Sequence, residues 1–145
     1  MSVTVGQELP GWELPITTTL VVSAALATRD FQDVHHDRDL AVGHGSKDIF
    51  LNILTTTGLV QRYVGEWAGP AALIRACELR LGAPAYPGDT LSFSGVVTEA
   101  LEVDDETRHV VDVTGTVSHG AHVTARGPVV LPGVDSAAAS AEAVA

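Results

Sequence analysis

The chain has a single cysteine, Cys77, in 145 residues. No intrachain disulfide framework is open to it, and a lone thiol in apolar sequence reads as a small buried hydrophobe rather than a nucleophile. Basic residues are few as well. Eight Lys plus Arg stand against eighteen Asp plus Glu, for a formal net charge of -10. The eight are scattered singly from Arg29 to Arg126, which excludes the clustered cationic face of a nucleic-acid-binding protein. No apolar run is long enough to span a bilayer, and the first residues lack the charged and apolar regions of a signal peptide, so the expected location is cytoplasmic and away from membranes. A second catalytic domain does not fit this length. One core is expected over residues 1–132, with the small, Ala-rich stretch 133–145 as a disordered tail. What the chain does have is hydrophobic content, at 46%. For an acidic one-domain chain that is a surplus, and it points to apolar surface covered by another subunit.

Taken in order, Gly6, Pro10, Gly11 and Pro15 mark an entry loop, and the β-branched run Ile16 to Val22 reads as a strand. Ser23 is placed to cap a short helix over Ala24 to Thr28, and Asp37 to cap one helical turn through Val42. From Ser46 to about Trp67 the pattern is helical. Ile49, Ile53, Val60 and Val64 form one stripe, and Phe50, Leu51, Leu54, Leu59 and Tyr63 widen it until little polar surface is left. Such a helix is expected to be wrapped by a sheet or sandwiched at a subunit interface. Beyond Pro70 the chain is strand material. A first run, Ala71 to Leu81, precedes alternating segments around Leu91–Thr98 and Val111–Val117, joined by the acidic turn Asp104-Asp105-Glu106, and a turn at His119-Gly120 leads back through Val123 to Leu131. One long helix followed by an antiparallel meander gives an α+β class with the sheet curled around the helix.

Chemistry concentrates between Thr28 and Ser46. Asp30, His35 and the glycine-flanked His44 crowd into a short stretch beside the expected helix start. An acid and an imidazole that touch one water can activate it and return a proton. Gly45, with no side chain, can let a carbonyl approach backbone N–H groups at the positive end of the helix expected from Ser46. These three requirements are those of adding water across a double bond conjugated to a thioester. The spacing alone leaves a plainer alternative open, in which Asp30 and His35 are solvated loop and cap residues. His36, Asp37, Asp39 and His44 raise a metal-binding alternative, against which stands the lack of paired His-x-x-x-His or Cys ligands. Asp33 can orient His35 or face solvent, Gly88-Asp89 reads as a tight turn, and His109, His119 and His122 read as exposed strand or turn residues.

The run Asp30-Phe-Gln-Asp-Val-His35, followed by Ala41 and then His44-Gly45, resembles the hydratase motif of the MaoC-like enoyl-CoA hydratases, which have the hot dog fold. Where the general pattern has Gly before the acid and Asn-Pro within the run, this chain has Arg29, Gln32 and Asp33, and the link from His35 to Gly45 reads as shorter. With Gly45-Ser46-Lys-Asp-Ile-Phe50 and Thr57-Gly-Leu-Val-Gln-Arg-Tyr-Val64, these departures are similar to the small subunits of heteromeric MaoC-like hydratases that act on steroid side chains. The resemblance spans about residues 5–131. It implies a larger MaoC-like partner carrying a DUF35 domain, an α2β2 assembly, and a downstream steroid aldolase reached through that partner. It also implies hydration of a steroid 17(20)-ene carboxyl-CoA ester, with no cofactor beyond the CoA thioester substrate and no metal. By carry-over Asp30 and His35 would be the catalytic pair and the Gly45 backbone the oxyanion donor. The shorter link would leave room for a ring-bearing acyl group. Three rival functions stand beside it: a non-catalytic hot dog partner subunit, a hot dog acyl-CoA thioesterase and a metal-binding module.

Overall fold

The computed structural model describes residues 2–131 and 133. The tail expected over 133–145 lies, apart from Gly133, outside the described residues. In chain order the elements are β1 (Glu8–Pro15), α1 (Thr18–Ala27), α2 (Arg38–Gly43), α3 (Ile53–Ala68), β2 (Leu73–Ile74), β3 (Glu78–Leu81), β4 (Thr90–Val103), β5 (Glu106–Val117) and β6 (Gly120–Val130). A single 3-10 turn, Asp33–His35, stands between α1 and α2.

The strands form one antiparallel, six-stranded sheet in the order β1-β4-β5-β6-β2, with β3 also paired to β6. The alternation seen in the sequence sets its faces. Leu91, Phe93, Val97, Val111, Val113, Val117, Val123, Ala125 and Val129 point inward and are buried, while Ser94, Thr116 and Thr124 face outward. The inner face curls around α3, whose buried stripe is Thr55, Thr56, Leu59, Val60, Tyr63 and Val64. Each fully buried Leu or Val on that stripe contributes roughly 1.5–3 kcal/mol. At Gly95 a Cβ would sit 3.2 Å from the Tyr63 ring, so glycine lets α3 lie close to β4. This is the α+β hot dog arrangement, a long helix wrapped by a half-barrel sheet.

Several local expectations are corrected. Residues 16–22 are not a strand: Thr17 caps α1 through its side chain, which accepts from the Leu20 N–H, and the helix then runs to Ala27 without using Ser23 as a cap. The first strand instead occupies the expected entry loop. It is an edge strand, where prolines cost no ladder hydrogen bond, and it carries an irregularity between Leu9 and Trp12 that spans Pro10 and Gly11. The run 71–81 splits into β2 and β3, and Gly127 of β6 lies against the Ala76 backbone in the gap.

The long helix starts at Ile53, not at Ser46. Between them the backbone is claimed by tertiary partners, with Phe50 N–H donating to the Val34 carbonyl and Leu51 N–H to the Ala85 carbonyl. Ile49 and Leu51 are buried while Phe50 is only half-buried, the alternation of an extended segment. Consequently Ile53 and Leu54 are about half exposed, and the helix buries one face rather than most of its surface.

Candidate active site

The site forms where the C-terminus of α1 meets the N-terminus of α3. At the end of α1 the chain turns through Arg29, which has the left-handed φ of 58°. Arg29 N–H donates to the Leu26 carbonyl and Asp30 N–H to the Ala25 carbonyl, the paired bonds of a Schellman stop. That turn aims Asp30 back toward α3.

His35 follows on the 3-10 turn and is 6% exposed. Its Nδ1 lies 2.7 Å from the Phe50 carbonyl oxygen. A carbonyl only accepts, so Nδ1 carries the proton and Nε2 of the neutral ring is left as a lone pair. Nε2 faces Asp30 Oδ2 at 3.5 Å. An acid and an imidazole so placed can together hold and polarise a water. The Phe50 ring packs edge-on against the imidazole, with centroids 5.0 Å apart, and limits its rotation.

The third component is the start of α3. Asn52 is its N-cap, accepting from the Thr55 N–H, and the Asn52 carbonyl receives the Thr56 N–H. Among the described residues no acceptor takes the backbone N–H of Asn52 or Ile53. These N–H groups lie at the positive end of a 16-residue helix whose cap residue, Asn52, contacts Asp30 through its side chain. The Asn52 side chain also reaches Asp30 Oδ2 at 3.1 Å and Thr28 Oγ1 at 2.8 Å.

Of the residues singled out from the sequence, Asp30 and His35 are brought together. Gly45 is not at the long helix's start. It follows the C-terminus of α2 with φ 91°, and its own N–H is donated to the Val42 carbonyl, because the stop that ends α2 consumes it. The link from His35 to the start of the long helix at Ile53 holds all of α2 and the extended segment after it. Asn52 escaped notice because it sits inside an apolar run that reads as mid-helix. The available signal was the residue type itself, since Asn is among the favoured N-caps.

The other candidates disperse. Asp33 lies 3.9 Å from His36 Nε2 and makes no ion pair with His35. His36 is exposed where His35 is buried. Asp37 caps α2 through the Leu40 N–H. Among the described residues no group of three His, Cys, Asp or Glu side chains is placed to hold a metal. Asp48 accepts from the Arg38 guanidinium at 2.7 Å, which holds its carboxyl below the usual range. Burial pushes the Cys77 thiol up, against any nucleophilic role. Asp89 accepts the Tyr86 N–H in a turn with Gly88 at φ 97°. His109 and His122, expected at the surface, are buried, and burial lowers the pKa of both. No helix among the described residues is long and apolar enough to cross a membrane.

Residues 3–126 match the model of the MaoC like domain. The chain belongs to the MaoC-like family. Within it, the chain is a hydratase subunit. It is 59% identical over 121 residues, 83% of this chain and 91% of the relative, to the 3-oxo-4,17-pregnadiene-20-carboxyl-CoA hydratase beta subunit of Mycobacterium tuberculosis (strain ATCC 25618 / H37Rv). In the crystal structure of the ChsH1-ChsH2 complex from Mycobacterium tuberculosis, a matching chain is 57% identical with a TM-score of 0.82, the match covering 88% of this chain and 98% of that one. The (R)-hydratase from A. caviae involved in PHA biosynthesis superposes with a TM-score of 0.79 at 20% identity over 90% of this chain and 98% of the other, a likeness of fold alone.

Proposed function

We propose that this chain is the catalytic subunit of an enoyl-CoA hydratase that adds water across the 17(20) double bond of a steroid side-chain thioester. The observation that carries the reading is the placement of His35, whose Nδ1 is held by the Phe50 carbonyl and whose Nε2 lies 3.5 Å from Asp30 Oδ2 beside the start of α3. The 59% identity to a 3-oxo-4,17-pregnadiene-20-carboxyl-CoA hydratase beta subunit supports the substrate class.

In this mechanism a water held between Asp30 and His35 gives its proton to Asp30 as its oxygen bonds to the β-carbon, C17. The π electrons move onto the thioester carbonyl, and the enolate oxygen is met by the backbone N–H groups of Asn52 and Ile53. The enolate then collapses and the α-carbon, C20, takes the proton back from the pair, so one water is added and nothing else is consumed. His35 orients the water and shares the transfer. Phe31, Ile53 and Leu54, all more than half exposed and adjacent in sequence to the reacting groups, supply an apolar rim for a ring system and for a covering subunit. That subunit is the larger MaoC-like partner with a DUF35 domain, in an α2β2 assembly, and it contributes the cations for the CoA phosphates that this chain does not cluster.

The test is co-expression with the large subunit and an assay on the steroid enoyl-CoA. A hydratase abolishes the enoyl-thioester absorbance and releases no thiol. Release of free CoA would mark a thioesterase instead, and hydration that survives Asp30→Asn in the assembled complex would mark a supporting subunit.

A further inference from the structure

We infer that Asn52 is a positioning residue for the Asp30 carboxylate, beyond its duty as the cap of α3; the inference rests on Asp30 being the base. Asn52 is 2% exposed and every hydrogen-bonding position of its amide is engaged. Its partners fix which way the amide points. Thr55 N–H at 3.2 Å can only donate, so the oxygen faces Thr55, whose hydroxyl joins it. The amide nitrogen therefore faces Thr28 and Asp30. The Thr28 hydroxyl gives its own proton to the Ala24 carbonyl at 2.8 Å, leaving a lone pair for Asn52. The remaining amide hydrogen goes to Asp30 Oδ2 at 3.1 Å.

Asp30 has little else to hold it. Its other oxygen meets only the Gln32 N–H, at a long 3.4 Å, and its side chain keeps 20% of its exposure. The oxygen that Asn52 grips is the one that faces His35 Nε2. Removing the grip frees the carboxylate to turn away from the shared water, and a misplacement of about 1 Å costs on the order of 100-fold in rate.

The choice of residue separates this role from capping. Ser and Asp cap helices as well as Asn does, and near a helix N-terminus a carboxylate is electrostatically favoured. The amide accepts from Thr55 through its oxygen and donates to Asp30 through its nitrogen, two atoms on opposite arms of one group. Asn52→Ser keeps a capping oxygen on a shorter side chain and loses the amide arm that reaches Asp30, while Asn52→Asp keeps the cap and sets an acceptor-only group against Asp30.

Both variants are made in the co-expressed complex beside Asp30→Asn, with steady-state kinetics on the steroid enoyl-CoA and melting temperatures. The expected result is a kcat lower by about 10- to 100-fold in both, with KM unchanged and, in Asn52→Ser, melting temperature held. Unchanged kcat in both while Asp30→Asn is inactive overturns the inference and leaves Asn52 a cap. A fall in kcat that tracks lost melting temperature in both also overturns it. Full activity of Asp30→Asn overturns the reading of the site itself.

Discussion

Replacing Thr56 by Val changes little in shape and removes one hydroxyl from the first turns of α3, where the candidate donors are. Thr56 is fully buried and His122, opposite it on β6, is 2% exposed. His122 Nδ1 lies 2.7 Å from the Ala83 carbonyl and so carries the ring proton. Its Nε2 accepts from the Thr56 hydroxyl at 2.9 Å. Thr56→Val therefore orphans a buried acceptor, which costs about 1–3 kcal/mol, whereas replacing both partners by apolar groups comes close to neutral. The double variant Thr56→Val with His122→Leu is expected to lose less than the sum of its parts, by about 1 kcal/mol or more. Urea unfolding of the four proteins at pH 8, read as midpoints at a common slope, measures the cycle. The same site carries an acid dependence. Burial lowers the His122 pKa from its ordinary 6.5, so between the folded and unfolded values the unfolded chain binds more protons. The stability from neutral His122 is full above about pH 6.5 and is lost as pH falls through the folded value. His122→Leu should shrink that acid-side loss to what His109, lowered by its own burial, contributes. Additive losses, or a Thr56→Val protein as stable as the parent, would refute the reasoning.

Two further substitutions test the backbone around the site and the sheet. Arg29→Gly relieves a left-handed turn that costs a side-chain-bearing residue about 1 kcal/mol, so the urea midpoint should rise with kcat unchanged; a lower midpoint would mean the arginine side chain matters more than its φ of 58°. Gly127→Ala drives a Cβ into the Ala76 carbonyl oxygen, a backbone atom that cannot swing aside. It should cost about 3 kcal/mol or more in thermal or urea unfolding, and a neutral result would show that the link between β2 and β3 yields.

The meander was readable because Leu91, Phe93, Val97 and Val111, Val113, Val117 alternate with polar residues, and a period of two admits one structure. The acid–imidazole pair was readable because Asp30 and His35 are close in sequence, and one Schellman stop plus one 3-10 turn is enough to face them together. The helix start was not. Ile49, Phe50 and Leu51 suit a helix or an extended segment equally, and what decided between them was the Val34 and Ala85 carbonyls, remote in sequence, which took the Phe50 and Leu51 N–H groups. That single displacement moved the candidate oxyanion donors from Gly45 to Asn52 and Ile53. The buried histidines were missed for a related reason. His109 sits between Arg108 and Val110, and nothing local shows that its register with Ala100 and Val129 turns it inward. The first strand was hidden because Pro10 and Pro15 read as loop, which is right for an interior strand and wrong for an edge.

The central claim is that Asp30 and His35 work on one water. Asp30→Asn keeps the size of the side chain and one acceptor oxygen for Asn52 while removing the base. In the assembled complex, with subunit stoichiometry and melting temperature matched to the parent, the hydration rate on the steroid enoyl-CoA should fall by roughly 100- to 10,000-fold, the range of general acid–base contributions. A rate equal to that of the parent would contradict the account.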